Sequence, residues 1–473
     1  MSPGRVGSIL GSLQDGLNRL ASITIILHSA QLAFPVASAA SISNNAWSLV
    51  ATGDLLGDVV TINDSRTQAL WDITRSADFA FFNMEGQLFR DADFTGYPSS
   101  ENGGDNDYGN VGGGPTYDPS QAFLLAGLGF NLASQTNNHV WDYGFDGYHE
   151  TKNNLEAANI TSAGSGASLA EARNASFVQR GNTRLSLICA AGTHTPESVA
   201  GAGEPSDNLA PRPGVSALRT SLTTVVDGEA FANILRIARA QGQSDLTDDV
   251  AEVTLYTGQS PMFWSSWRRA DSNETTPKLD WNTNEDDFNG IISSIREAKA
   301  TSDATVFSLH AHESDSGAYD SIIPLPPAST VPASYITNIS RSSIEAGADV
   351  VLVHGPHHLR GIEIYQGRPI FYSLGSFTYS LGLHFRGVSL PIEWDDGLIA
   401  HTEFVDGTVN KIALYPTIHN QLTNDTSVAD RTMPKLAPPA EAQRILNYLQ
   451  EASRPFGTLI NINGSTGYIL VSP

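Results

Sequence analysis

The stretch Ala348–Phe377, ADVVLVHGPHHLRGIEIYQGRPIFYSLGSF, limits the possible architectures more sharply than any other part of the chain. An apolar, β-branched run from Val350 to Val353 stops abruptly at His354-Gly355-Pro356-His357. A short continuous apolar run bounded by turn residues is the pattern of a strand buried on both faces, the kind found in helix-covered parallel sheets. Gly355 and Pro356 permit a tight turn, so the imidazoles of His354 and His357 can converge on one point at the strand tip. Converging neutral imidazoles suit Zn, Fe or Mn-like ions. Taken alone, the pair fits an ordinary histidine-containing loop better than a ligand pair. The rest of the chain changes that balance.

From residue 45 onward, short apolar runs alternate with amphipathic stretches, which predicts an α/β domain. Strands are expected at Trp47–Thr52, Asp78–Phe82, Phe130–Ser134, Arg184–Ala190, Ala304–Leu309, Ile362–Tyr365, Pro369–Ser373 and Leu398–Phe404. Helices are expected at Arg66–Ser76, Gln121–Gly127, Tyr148–Ala158, Asp287–Ala300, Ser334–Ala346 and Ala440–Ala452. Residues 91–119, rich in Gly, Asn, Asp and Pro, read as a long loop, and residues 194–290 as an insertion with its own helix, Glu229–Ala240. A closing hairpin is expected around Asn463-Gly464. The divisions that follow are a tail or signal segment at 1–42, a main domain at 43–425 and a C-terminal helix and hairpin at 426–473 that pack on it.

Five of these strands end in a donor side chain. Trp47–Thr52 is followed by Gly53-Asp54, and Asp78–Phe82 by Asn83-Met84-Glu85-Gly86. Phe130–Ser134 runs into Asn138-His139, Ala304–Leu309 into His310-Ala311-His312-Glu313, and the fifth into His354 and His357. In an open α/β sheet the carboxyl ends of the strands share one edge, where ligands bind. One Asp, one Glu, one Asn and several His on that edge form a mixed nitrogen–oxygen donor set suited to Zn, Fe or Mn. Each piece has a plain alternative: Gly-Asp after a strand is commonly a turn or helix cap. Their joint occurrence, always directly after a strand, is hard to obtain from ordinary loops.

The composition closes off other functions. A net charge of −23 with no basic cluster argues against nucleic acid and anionic membranes as partners. The single cysteine, Cys189, excludes an intrachain disulfide and lies in the apolar run LSLICAA as an inert core residue. At the other end, Arg19, the apolar stretch Leu20–Val36 and Ala37-Ser38-Ala39-Ala40 follow the order of a secretory signal. That order places the chain outside the cell or on its surface; an anchor or a disordered tail, with a cytoplasmic location, is the alternative. Seven Asn-X-Ser/Thr sequons, at Asn63, Asn159, Asn174, Asn273, Asn338, Asn424 and Asn463, permit glycosylation. Nothing after the N-terminal segment is long and apolar enough to span a bilayer.

With these motifs in place, the chain resembles the CapA-type capsule-synthesis proteins linked to poly-γ-glutamate. That family's fold is related to the calcineurin-like metallophosphoesterases. The likeness runs from about Trp47 to Phe404 and rests on ATGDLLGD, FFNMEGQL, SQTNNHVWDYGFDGYHETKNNLEAANITSAGSG, VFSLHAHES and the His354 segment. It implies a sandwich of central β-sheets flanked by helices. It also implies a site in which Asp54, Glu85, Asn138, His310, His354 and His357 hold one or two divalent ions. His139 would then be a proton donor and not a ligand, with Asp142 orienting its imidazole. The related phosphoesterases begin with Asp-X-His, whereas Asp54 is followed by Leu55-Leu56; Glu85 replaces Asp, and Ser376 stands where Asn is expected. His312, His358 and Glu313 lie close to the ligands and read as solvated loop residues, with contacts behind the ligands or to substrate as the alternative. Two functions remain open. One is a metal-dependent hydrolase of phosphoesters or related anionic bonds, including amides, with metal-bound hydroxide as nucleophile. The other is a non-catalytic component that binds an anionic polymer during cell-surface polyglutamate production. Trp264 and Trp267 are candidates for a lid.

Overall fold

The structure, a computed structural model, describes residues 46–57, 59, 64–90, 92–95, 116–256, 264–316, 329–379, 392–419 and 433–471. Two sheets stack face to face. In the first, parallel strands Trp47–Leu56, Phe79–Met84, Leu132–Ser134 and Thr161–Ala163 lie side by side. Beyond Trp47–Leu56 the sheet continues through antiparallel Asp396–Val405 and Thr408–Ile418 to the C-terminal hairpin Asn461–Asn463/Thr466–Ile469. The second sheet runs in the order Ile362–Tyr365, Arg368–Phe371, Val350–His354, Ala304–His310, Thr183–Ala191, Ser176–Arg180, and its four inner strands are parallel.

Side-chain alternation along these strands builds four layers. Phe79 and Phe81 face the second sheet, while Ala80 and Phe82 face helices; Val350 and Leu352 turn inward, and Val351 and Val353 outward. Helices Ser65–Ser76, Ser120–Gly127 and Gly144–Ala157 cover the first sheet through residues such as Leu70, Trp71, Leu125 and Leu155. Glu285–Lys299 and Ser334–Ala346 cover the second through Ile291, Ile295, Ile336 and Ile339. Each fully buried Phe, Leu, Ile or Val contributes about 1.5–3 kcal/mol, so layer formation follows directly from the two-sided apolar runs. Asp64 and Asn284 cap two of the helices, accepting backbone N–H bonds from Arg66 and Asp287 at 2.8 and 3.0 Å. Cys189 lies between the sheets, 1% exposed, and burial pushes its thiol up to about 12. The helix Pro439–Ser453 closes the same core with Ile445, Leu446 and Leu449.

Three details differ from the sequence reading. The first strand does not stop at Thr52 but continues through Asp54 to Leu56, because Gly53 forms part of a bulge and not a turn. The helix read as starting at Tyr148 begins at Gly144. The 194–290 region holds more than one helix. Glu252–Tyr256, Trp264–Arg269, Thr220–Val226 and Lys278–Thr283 form a four-stranded sheet in that order, onto which Gly228–Ala240 packs with Phe231 and Leu235. These strands carry Thr, Ser, Arg and Lys on half-buried faces, so no apolar run announces them. The signal-like segment 1–42, most of the 91–119 loop, and sequons Asn63 and Asn424 lie outside the described residues. The other five sequon asparagines are all exposed.

Candidate metal centre

The inward phase of each strand decides which donors can meet. His310 continues the inward series of Val306 and Ser308, and His354 that of Val350 and Leu352; the two histidines are direct register partners. On the facing sheet Asn83, and Glu85 just past the strand end, continue the series of Phe79 and Phe81. Asp54 is out of phase with inward Leu49 and Ala51, and strict alternation would turn it toward the helices. A bulge corrects this: Ala51 pairs with Phe81 but Asp54 pairs with Asn83, so one extra residue turns Asp54 inward. Gly53 fits there because its backbone lies against that of Gly375, where a Cβ would collide with the Gly375 carbonyl.

The result is a sealed cluster. Asp54, Glu85 and His310 are 0% exposed, His354 1%, His357 3%, His139 4% and Asn138 6%. Asp54 Oδ1 accepts from Asn83 Nδ2 at 2.9 Å, while Oδ2 accepts from the Gly355 N–H at 3.1 Å and lies 3.1 Å from His357 Nδ1. His354 Nδ1 is 3.5 Å from Asp54 Oδ1. Burial acts to raise the Asp54 carboxyl, but the His357 contact and the surrounding imidazoles outweigh it and hold it below the ordinary value. Glu85 behaves in the opposite way: burial first, then the charges of Asp54 and Asp142, push it well above the carboxylate range. Burial also lowers His310, and takes His354 down to about 4, so both imidazoles are held in the neutral form that binds cations.

His310 Nε2 lies 2.7 Å from Asn138 Oδ1 and 3.0 Å from His312 Nε2. Glu85 Oε1 sits between the two sides, 3.8 Å from His310 Nε2 and 3.6 Å from His357 Nε2. Among the described residues, neither Glu85 oxygen nor either His354 nitrogen has a hydrogen-bond partner. A buried carboxylate without a hydrogen-bond donor is strongly unfavourable, and a cation is the partner that its geometry and charge fit. Donor atoms of Asp54, Glu85 and His357 lie within 4.8 Å of one another, as do those of Glu85, His310 and His312. The donors are nitrogen and oxygen only, which fits Mn, Fe or Zn. Beside this cluster, His139 Nδ1 lies 2.8 Å from Asp142 Oδ2, and the His139 N–H donates to Asn137 Oδ1 at 3.0 Å. Asn137 in turn donates to Asn83 Oδ1 at 3.2 Å, which ties the His139 loop to the Asp54 side.

The structure therefore brings Asp54, Glu85, Asn138, His139, Asp142, His310, His354 and His357 into one buried assembly. Sequence reading missed Asn83 and Asn137, which orient the others; the inward phase of FAFFNM was the available signal for Asn83. His312 and His358 are not solvated loop residues but are buried, at 3% and 0% exposure, because the strand-end loops fold over the inter-sheet core. Glu313 is also engaged, accepting from Thr193 Oγ1 at 2.9 Å and from the Tyr335 hydroxyl at 2.6 Å. Ser376 pairs in register with Asp54 and brings its hydroxyl to 3.4 Å from His357 Nδ1. Trp267 packs within the small sheet's own core and so is no lid over this cluster; the side chain of Trp264 lies outside the described residues.

Fold and site together define an α/β sandwich protein with a buried carboxylate–imidazole cluster at the shared carboxyl edge of two sheets. Residues 48–380 match the family described as bacterial capsule synthesis protein PGA_cap, and the chain belongs to that family. All eight assembled residues lie in the matched span. The uncharacterized protein y4sH of Sinorhizobium fredii is 29% identical over 461 residues, covering 89% of this chain and 93% of that one. A probable polyglutamine synthesis accessory protein of Mycobacterium tuberculosis is 26% identical over 260 residues, covering 54% of this chain and 47% of its own. Among solved structures, a phosphatase from Mycoplasma pneumoniae overlaps 79% of this chain and 94% of its own, with 10% identity and a TM-score of 0.35. No helix among the described residues is long and apolar enough to cross a membrane.

Proposed function

We propose that the chain is a metal-dependent hydrolase of a phosphoester or related anionic bond, acting in capsule or poly-γ-glutamate-type polymer metabolism at or outside the cell surface. The carrying observation is the Glu85 carboxylate, fully buried and unpartnered between two groups of donors. Asp54, Glu85, Asn138, His310, His354 and His357 would hold one or two divalent ions. A cation bound there would supply polarisation of an anionic substrate oxygen and a lowered pKa for a water. It also supplies the local positive charge that an anionic substrate needs on a protein of net charge −23. Asp142 accepts from His139 Nδ1, which fixes the ring orientation and makes Nε2 the atom that passes a proton to the leaving group. The family description and the mycobacterial relative's name support the polymer context.

One observation favours a second reading, a polymer-binding component without catalysis. Leu55 and Leu56 follow Asp54 where the related phosphoesterases carry a ligand histidine; both are buried, Leu55 in the apolar core beneath the helices. The deciding experiment is a turnover screen over phosphoesters and γ-glutamyl amides with added Mn²⁺ or Zn²⁺. His139→Ala should lower any turnover by about 10²–10⁴-fold while bound metal, measured by elemental analysis, stays unchanged. Loss of metal instead would make His139 a ligand, and polymer binding with no turnover on any substrate would favour the second reading.

A further inference from the structure

We infer that His312 is a metal ligand that completes a second four-donor cation position, Glu85–Asn138–His310–His312, beside a first formed by Asp54, Glu85, His354 and His357. The inference rests on the metal reading above and adds a ligand that the family likeness does not supply. The His312 Nε2 atom lies 3.0 Å from His310 Nε2, which is itself 2.7 Å from Asn138 Oδ1. The unpartnered Glu85 carboxylate shares a 4.8 Å donor group with both imidazoles. His354, by contrast, sits 3.5 Å from Asp54 and so belongs with the first position.

The loop is built to deliver this ring. The His312 N–H donates to Thr193 Oγ1 at 2.9 Å, and its carbonyl accepts from Arg360 Nη2 at 2.7 Å. Arg360, itself 0% exposed, also donates through Nη1 to the Glu313 carbonyl at 3.0 Å. A fully buried guanidinium spent on two consecutive carbonyls fixes the backbone on which the His312 side chain is carried. Across the gap, Gly355 (φ +117°) leaves the room that the ring fills: a Cβ there would lie 2.6 Å from His312 Cδ2 and 2.9 Å from Nε2. Counted this way, the missing histidine after Asp54 leaves neither position short of donors. With His354 counted through its contact to Asp54, each would have four, with Glu85 common to both.

The test is titration of metal-free protein with Mn²⁺ and with Zn²⁺, by calorimetry and elemental analysis, on wild type, His312→Ala and His312→Leu; the leucine refills the buried volume without a donor. Wild type should bind two equivalents. Both variants should keep one equivalent at wild-type affinity and weaken the other by at least roughly 10–100-fold, the range set by loss of even an outer-sphere partner. Two equivalents with unchanged affinities in the variants would overturn the inference. So would a wild type that binds one equivalent and is indifferent to both substitutions, an outcome that leaves the metal reading standing. No binding by wild type removes both.

Discussion

A carboxylate sealed from water with no donor to satisfy it is unfavourable on its own, and Glu85 is held in that condition by two sheets. Its environment favours the protonated acid in the absence of cation, through burial first and then Asp54 and Asp142. The sign of the consequence is fixed: the folded chain binds this proton more tightly than the unfolded chain. Glu85 therefore subtracts stability as pH rises above the unfolded carboxyl value. Glu85→Gln should remove that loss, raising the unfolding free energy of metal-free protein near neutral pH by about 1–3 kcal/mol, while abolishing uptake of both cations. Denaturant unfolding after chelation, paired with metal analysis, checks both halves. A variant that is less stable and still binds metal would show that Glu85 serves the fold and not the ions.

At the scale of elements, the bulge at Thr52–Gly53 determines whether Asp54 faces the site or the helices. Gly53→Ala forces a Cβ onto the Gly375 carbonyl, and the chain must shift where Asp54 pairs with Ser376. We expect a loss of about 1–3 kcal/mol in unfolding free energy, with metal affinity weakened. Unchanged stability and affinity would mean that the bulge is not needed to aim Asp54. This element also marks where sequence reading reached its limit. Long apolar runs such as Val350–Val353 were legible as strands, and so were their tips, because one-dimensional order already places His354 after Val353. Bulges and loop folding were not legible, since both are decided by contacts from the other sheet. Thus the sequence marks Asp54 as a donor but ends its strand too early, and it reads His312 as solvated although Gly355, 43 residues away in sequence, makes its pocket. The small sheet at 220–283 was missed for a related reason: its strands bury one face against a single helix, and their polar residues mask the period.

For the whole molecule, the donors are divided between the two sheets. Asp54, Glu85 and Asn138 come from one, and His310 and His354 from the other. A cation at either position would take donors from both sheets and tie the layers together, so its binding would be linked to global unfolding. At free metal a hundredfold above the dissociation constant, one site adds about 2.7 kcal/mol, and chelation should lower the melting temperature accordingly. A melting temperature indifferent to chelator would contradict this division of donors. The buried thiol between the layers gives the same coupling a second readout. Cys189 is the single sulfhydryl of the chain and lies on the inner face. An alkylating reagent can reach it only when the layers part, so its modification rate times that opening. Labelling should be slow in the metal-loaded protein and faster after chelation. The chain thus carries its own chemical clock for the parting of its layers, with no engineered probe required.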